Sequence, residues 1–209
     1  MEYTCTHNHQ SRFIDMFHGQ DWPTYTWKDL FDTQLGKMLD ANKQKPEDTS
    51  CPYLANANVQ WGHFEIDNLP SMTFRDKELA KFELRKGDLM ICEGGESGRC
   101  AVWEQDNTDI KYQKAVHRAR PKDPAKIDVH FIQYYLQFLK STGGLDDFIT
   151  KTTIEHLTGE KLNQVPIIVP PKSLQNEFLE VVRQADKSKF ELKRAIEAIE
   201  KVIKSLING

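Results

Sequence analysis

The amino-acid sequence predicts an α+β protein in which a mostly-β domain is followed by a long C-terminal coiled-coil helix. Short apolar and β-branched runs separated by turn residues dominate residues 22–171. The last 37 residues contain no proline or glycine before Gly209, although these two residues most often interrupt regular structure elsewhere. We therefore divide the chain into an N-terminal lead-in (1–21), a mostly-β domain (22–172) and a helix (173–209).

The composition excludes several classes of protein. Hydrophobic residues make up 39% of the chain and charged residues 28%, which is ordinary for a globular protein. No apolar run approaches the ~20 residues of a membrane span, and the first residues lack the basic and apolar regions of a secretory signal. Four cysteines are too few for a disulfide scaffold. We therefore expect a cytoplasmic protein without membrane association.

Local patterns predict the elements of the first two regions. Residues 11–17 are typical of a short helix that ends before Gly19. Within the β domain, Lys86-Gly87-Asp88 predicts a turn before a buried strand at Leu89-Met90-Ile91. The glycine-rich residues 93–98 predict a second turn before a strand at 99–103, and the apolar residues 165–169 predict another strand. Apolar residues recur every three or four positions in 128–139, which predicts a helix there.

The C-terminal helix carries a heptad repeat. Apolar positions recur at alternating spacings of four and three residues, interrupted by one lysine: Phe178, Val182, Ala185, Lys189, Leu192, Ile196, Ile199, Ile203 and Leu206. Such a repeat is typical of a coiled coil, and the helix would extend roughly 50 Å. We expect a partner helix to cover the stripe; the alternative is that the helix lies along its own domain.

Motifs for catalysis and metal binding are missing from the sequence. Residues 94–99 are glycine-rich but lack the Lys-Ser/Thr ending of a P-loop, and no GxSxG, HExxH or CxxC motif occurs. Cys5, His7 and His9 would face the same way on a strand, but no fourth zinc ligand follows at a recognisable spacing. We therefore expect neither an enzyme nor a metal site.

The charge is unevenly distributed along the chain. The net charge is −3, but residues 111–126 hold six Lys and Arg side chains and one Asp. This excess of basic residues beside His117 is able to attract phosphate groups. The alternative interpretation is a solvated strand and loop without a binding function.

The order of several segments resembles the specificity (S) subunit of type I restriction–modification systems. The GDL, EGG and GR motifs, which lie at 87–89, 93–95 and 98–99, carry most of this resemblance. The other segments are residues 36–39, 53–62, 113–121, Val165-Pro166, Pro170-Pro171 and Gln175. Leu174 departs from the family, which usually has Glu at this position, but this is a detail of the helix start.

The resemblance implies a target-recognition domain followed by a conserved helix. A complete S subunit contains this unit twice, so the chain resembles a half subunit or a fragment of a longer one. The implied partners are double-stranded DNA, two adenine-N6 methyltransferase (M) subunits and a motor-nuclease restriction (R) subunit. S-adenosylmethionine, ATP and Mg²⁺ would bind to those subunits, and none is expected on this chain. Because one unit reads half of a bipartite site, we expect a homodimer formed through the C-terminal helix.

Candidate site residues follow from the chemistry of base recognition. Arg binds guanine and Asn or Gln binds adenine through paired hydrogen bonds, so the candidates for DNA binding, which apart from Lys37 we expect on loops, are Lys37, Asn56, Asn58, Gln60, Arg99, Gln113, His117, Arg118 and Arg120. Alternatively, the asparagines cap turns, Arg99 contacts its own fold, and Arg118 or Arg120 pairs with a carboxylate. The residues expected on the dimer or M-subunit face of the helix are Phe178, Val182, Leu192, Ile196, Ile199, Ile203 and Leu206.

Two other functions remain open from the sequence. One is a coiled-coil adaptor whose β domain binds protein rather than DNA. The other is a fragment of a methyltransferase or nuclease, which a cofactor or metal motif would favour.

Overall fold

The structure, a computed structural model, describes residues 11–38, 48–106, 108–151 and 155–207. The helices are residues 11–17 (α1), Trp27–Leu30 (α2), Asp76–Lys81 (α3), Val129–Thr142 (α4), Gly159–Leu162 (α5) and Lys172–Ile207 (α6). The strands are Thr24–Thr26 (β1), Phe31–Leu35 (β2), Thr49–Leu54 (β3), Val59–Gln60 (β4), His63–Phe64 (β5), Ser71–Phe74 (β6), Leu89–Cys92 (β7), Cys100–Val102 (β8), Lys111–Tyr112 (β9), Val116–Pro121 (β10), Thr150–Lys151 (β11), Glu155–His156 (β12) and Pro166–Ile168 (β13). Many short strands followed by a 36-residue helix confirm the predicted fold class.

A four-stranded antiparallel sheet, in the order β2-β10-β7-β8, forms the centre of the β domain. All four residues of β7 are buried, so both faces of the sheet are covered, because successive side chains point to opposite faces. The predicted turn before β7 is present. Gly87 adopts a φ of +87° there, a conformation that glycine takes without steric cost.

Helices cover one face of this sheet. Ile91 of β7 belongs to the same apolar core as Phe131, Ile132 and Leu136 of α4 and as Phe13 of α1. The predicted helix at 128–139 is confirmed as α4. Its N-cap is Asp128, whose carboxylate accepts a hydrogen bond from the backbone N–H of His130, an interaction that favours a helix start at this position.

A second, smaller sheet covers the other face. In it β3 lies between β6, to which it is antiparallel, and β9, to which it is parallel. Met90 and Trp103, from the central sheet and the residue after it, share an apolar core with Leu54, Phe74 and Tyr112 of the smaller sheet. The β domain therefore has two cores, separated by the central sheet.

A two-stranded sheet joins the beginning of the β domain to the segment before α6. β1 pairs antiparallel with β13, with Thr24 opposite Ile168. The backbone N–H of Trp27 donates to the carbonyl of Val165 at 2.9 Å. The strand predicted in 165–169 is thus confirmed, and it places the start of α6 beside the central core.

The first turns of α6 are packed into the β domain. Gln175 is fully buried; its side-chain nitrogen donates to the carbonyls of Lys126 and Pro170, and its oxygen accepts from the N–H of Asp128. Phe178 and Val182 are also buried, and the ring of Phe178 contacts α1 and α4 at Phe13, Phe17, Phe131 and Tyr134.

The expectation that Phe178 and Val182 lie on an exposed seam is therefore wrong. Their positions in the heptad repeat are occupied by neighbours from the same domain. Beyond Lys189 the helix extends past the β domain, and the large apolar side chains of this part, both in the repeat and beside it, are exposed: Phe190, Leu192, Ile196, Ile199, Val202, Ile203 and Leu206.

Candidate nucleic-acid interface

Hydrogen bonds join the glycine-rich loop (residues 93–99) to the short 3₁₀ turn Asn56–Asn58. The amide nitrogen of Asn56 donates to the carbonyl of Gly94 at 2.7 Å, and the indole N–H of Trp61 donates to Glu96 at 2.6 Å. Gly95 has a φ of +72°, and a Cβ on it would lie 3.1 Å from the Asn56 nitrogen. The left-handed backbone conformation favours glycine there, and a Cβ would also require the Asn56 side chain to shift by a few tenths of an ångström.

Arg99 connects the glycine-rich loop to the turn at Asn56–Asn58, and we call these two segments together the loop unit. Its Nη2 atom donates to the carbonyl of Asn56 at 3.1 Å, and its Nη1 atom lies 3.4 Å from the Glu96 carboxylate. Only 15% of the side chain is exposed. The sequence placed Arg99 either against DNA or against its own fold, and the contacts present in the structure are those of the second alternative.

Asn58 and Gln60 also bond within their own turn. The side-chain oxygen of Asn58 accepts from the N–H of Ala55 at 2.9 Å, and its nitrogen donates to the carbonyl of Glu65. Gln60 donates to the carbonyl of Ala57 at 2.8 Å and remains partly exposed. The capping role considered for Asn58 is therefore present, and Gln60 lies near the surface of the same unit.

The structure brings Lys37 and Gln113 together beside the end of β3, where the backbone N–H of Gln113 donates to the carbonyl of Leu54 at 3.0 Å. The Lys37 and Gln113 backbones form an isolated parallel bridge, and a Cβ on Gly36 would lie 2.2 Å from the Gln113 carbonyl oxygen, so only glycine fits beside it. The Lys37 ammonium donates to the carbonyl of Thr73 and to Glu78, at 2.7 and 2.6 Å. Hydrogen bonds from Arg75 and Lys37 lower the pKa of Glu78 to about 2.

His117, Arg118 and Arg120 lie on β10, in the middle of the central sheet, and not on a loop as we expected. His117 is buried, and its Nε2 atom lies 3.2 Å from the carbonyl of Leu157. Burial lowers the pKa of its imidazole, because the apolar surroundings disfavour the charged form. In this conformation His117 is inaccessible to DNA, so its assignment as a DNA contact is corrected.

The two arginines of β10 are bound to carboxylates. Arg118, whose side chain is 8% exposed, donates to Asp32 at 2.9 Å. Arg120 binds the buried Asp88 through two hydrogen bonds of 2.7 Å. Such paired contacts fix a guanidinium firmly. The alternative role stated for both arginines, pairing with carboxylates, is the one that the structure shows.

The nine candidates thus fall into three separate groups: the loop unit with Asn56, Asn58, Gln60 and Arg99; the bridge with Lys37 and Gln113; and the β10 residues. Base contact by any of the partly exposed members stays a prediction. The structural roles of Asp32 and Asp88 were not predicted from the sequence. The GD pair at Gly87-Asp88 was visible as a turn, but the guanidinium of Arg120 that binds the Asp88 carboxylate lies 32 positions away along the chain.

A groove beside β10 was also missed. It has a volume of about 390 Å³ and lies where the turn before β7 meets the beginnings of α4 and α6. The ionisable side chains that line it are Arg85, Lys86, Arg120, Asp128, His130 and Lys172. The adjacent basic residues Arg85 and Lys86 were a signal in the sequence, but they lie outside the basic segment at 111–126.

Neither a metal site nor a membrane span is found in the part of the chain that the structure describes. No three acidic, His or Cys side chains of these ranges come together as a metal would require, and none of their helices combines the length and apolarity needed to cross a bilayer. Cys5, His7 and His9 lie outside the described residues.

The fold is that of specificity subunits. The HsdS subunit from Thermoanaerobacter tengcongensis has a TM-score of 0.64 and 18% identity, covering 93% of this chain and 46% of that chain. The type I restriction–modification S subunit from M. genitalium has a TM-score of 0.50 and 19% identity, covering 84% and 41%. A chain from a structure of type I R-M complex assembly and conformational transition has a TM-score of 0.63 and 18% identity, covering 98% and 52%.

These likenesses establish the fold, and the family follows from the sequence. The family model described as the type I restriction modification DNA specificity domain matches residues 19–201. The chain therefore belongs to this family, as its motifs indicated. It spans about half the length of the solved relatives above, and no curated protein matches it.

Proposed function

We propose that the chain is a DNA-recognition subunit of a type I restriction–modification complex and that it reads one half of a bipartite site. The observation that carries the proposal is the family match over residues 19–201, which includes both the β domain and most of α6. In this proposal residues 22–172 form the target-recognition domain, residues 173–209 form the spacer helix, and the lead-in at 1–21 precedes them. The complex would act in the cytoplasm.

The proposed partners supply the chemistry. Two adenine-N6 methyltransferase subunits would bind S-adenosylmethionine and methylate DNA, and a restriction subunit would use ATP and Mg²⁺. This chain would bind DNA and position those subunits without any cofactor of its own. Its contribution to sequence specificity would come from partly exposed side chains on the loop unit and the bridge, such as Gln60 and Gln113.

We also propose that the exposed part of α6 pairs with a second copy of the chain. Residues 190–206 extend about 25 Å, with large exposed apolar side chains along that length, and a stripe of this kind is stabilised by a partner helix. In an antiparallel pair centred between Ile196 and Ile199, Leu192 faces Ile203 of the second copy.

Charge complementarity supports the antiparallel arrangement. With Ile196 and Ile203 at heptad position a, Lys193 and Glu200 both occupy position e. In an antiparallel pair e faces e, so Lys193 of each copy meets Glu200 of the other. In a parallel pair e faces g, where the sequence has the uncharged Ala195 and Val202, so the ion pairs are absent.

One observation favours the alternative function, a coiled-coil adaptor whose β domain binds protein. Most of the candidate DNA contacts are already engaged within the chain, including Arg99, Arg118 and Arg120. An adaptor would need the exposed helix but no free groups for base recognition.

A mobility-shift experiment separates the two functions. We expect the purified chain, together with its M subunit, to shift duplexes selected from a random-sequence library. Duplexes in which the selected sequence is scrambled should bind more weakly. The chain alone should transfer no methyl group from labelled S-adenosylmethionine to the same duplexes. Equal binding to selected and scrambled duplexes, or no binding at all, would favour the adaptor, and methyl transfer by the chain alone would contradict a non-catalytic subunit.

A further inference from the structure

The groove between the turn before β7 and the beginnings of α4 and α6 has a strongly cationic lining. Four side chains that line it are always charged at neutral pH: Arg85, Lys86, Arg120 and Lys172. Asp128 is the one acidic residue among the lining residues. Among the side chains that line the groove, positive charges therefore outnumber negative ones.

Intramolecular contacts hold most of these cations in place. Arg120 is fixed by its two hydrogen bonds to Asp88, and the Lys172 ammonium lies 3.4 Å from Asp128 and 3.3 Å from the carbonyl of Pro124. Arg85 is bound to Glu83 at 2.7 Å. Asp88 and Glu83 do not line the groove.

Lys86 differs from the other cations. Its backbone N–H donates to Asp106 at 3.2 Å, but its ammonium forms no ion pair with any acid in the described ranges. It lies at the exposed turn beside Gly87, where a flexible lysine reaches outward without disturbing the fold. A phosphate oxygen that entered the groove would meet this ammonium and the remaining N–H groups of Arg85 and Arg120.

We propose that this groove binds a backbone phosphate of the DNA duplex and that Lys86, with Arg85, is its main contact. The inference rests on the proposed function, because a DNA duplex is the polyanion that the chain would bind. A phosphate contact contributes affinity and orientation and carries no information about base sequence. Of the nine candidate base contacts, Arg120 alone lines the groove, and it is already held by Asp88, so a duplex would be held at the groove independently of base recognition.

Salt dependence of DNA binding tests the assignment, using the complete chain with its M subunit and duplexes of selected and scrambled sequence. Lys86→Ala should weaken binding to both duplexes by the same factor, about 3–10-fold at moderate salt, and should reduce the slope of log affinity against log salt by roughly 1. Arg85→Ala combined with Lys86→Ala should reduce the slope further. Lys86→Arg should restore both affinity and slope, since it keeps the charge.

Lys77→Ala is the matched control, because Lys77 is an exposed lysine on α3 and does not line the groove; its affinity and slope should match wild type. An unchanged slope for the Arg85/Lys86 double variant would overturn the inference while leaving DNA recognition intact. A loss confined to the selected duplex, or an equal loss for Lys77→Ala, would also overturn it. If wild type binds neither duplex, the proposed function fails as well, which distinguishes the two failures.

Discussion

The two halves of α6 have one apolar repeat but different surroundings. In the first half, Phe178 and Val182 are at most 2% exposed, whereas in the second half Leu192 is 62% and Leu206 is 78% exposed. The first half completes a core made by α1 and α4, and the second half extends beyond the β domain. The same heptad spacing thus serves folding at one end and, in our proposal, association at the other. Substitutions in the two halves should therefore have separable effects.

The largest effect is expected for the triple variant Leu192→Asp, Ile196→Asp and Ile199→Asp. Six carboxylates would be introduced into the seam of the proposed dimer, and their desolvation and mutual repulsion should abolish association. Light scattering at tens of micromolar should show a dimer for wild type and a monomer for the variant. Circular dichroism should show that the β domain keeps its thermal transition.

The same experiment tests most directly whether the two halves of α6 have different roles. If wild type is already monomeric at these concentrations, homodimerisation is refuted and the exposed half is assigned to M subunits instead. Loss of the folded β domain in the triple variant would mean that the two halves are not separable.

The second prediction concerns the packed half. Phe178→Ala should reduce the free energy of unfolding by about 3–5 kcal/mol, because it removes a buried ring and leaves a cavity among four aromatic side chains. Denaturant titration of the monomeric triple variant, with and without Phe178→Ala, measures the effect free of association. Phe190→Ala is the control, since its ring is exposed, and should change the stability by no more than about 0.5 kcal/mol.

The smallest effect is expected for the ion pairs proposed between the two copies. Lys193→Glu places Glu next to Glu200 of the other copy, and Glu200→Lys places Lys next to Lys193; each single variant should weaken the dimer by about 0.5–1 kcal/mol per pair. The double variant, which restores opposite charges, should recover wild-type affinity in analytical ultracentrifugation. A double variant that is as weak as the singles would argue against the antiparallel arrangement.

The elements themselves were largely predictable from the sequence. The turn at Gly87, the strand after it and helix α4 were predicted from local signals, namely the Lys-Gly-Asp sequence, a short apolar run and the three-and-four spacing of apolar residues. The family was indicated by the ordered GDL, EGG and GR motifs. These signals lie within a few residues of the elements that they specify, so they can be recognised in a single sequence before the fold is known.

The candidate site was less predictable, because the availability of a polar side chain depends on distant residues. Arg118 is paired with a carboxylate 86 positions away and Arg99 with a carbonyl 43 positions away. No local sequence pattern predicts partners that are so far away along the chain. His117, Arg118 and Arg120, which we expected on a loop, lie on a central strand. A basic composition is compatible with a loop or a strand, and the pairing of β10 with β2 on one side and β7 on the other makes this segment a strand.

By itself, the sequence determined that the chain ends in a long heptad helix, that a mostly-β domain precedes it and that both belong to one family. The tertiary structure alone decided which part of the heptad repeat is buried and which basic residues are already paired. The physical reason is that periodicity fixes which side chains share a face of a helix or strand, whereas what packs against that face depends on contacts between segments far apart in the chain.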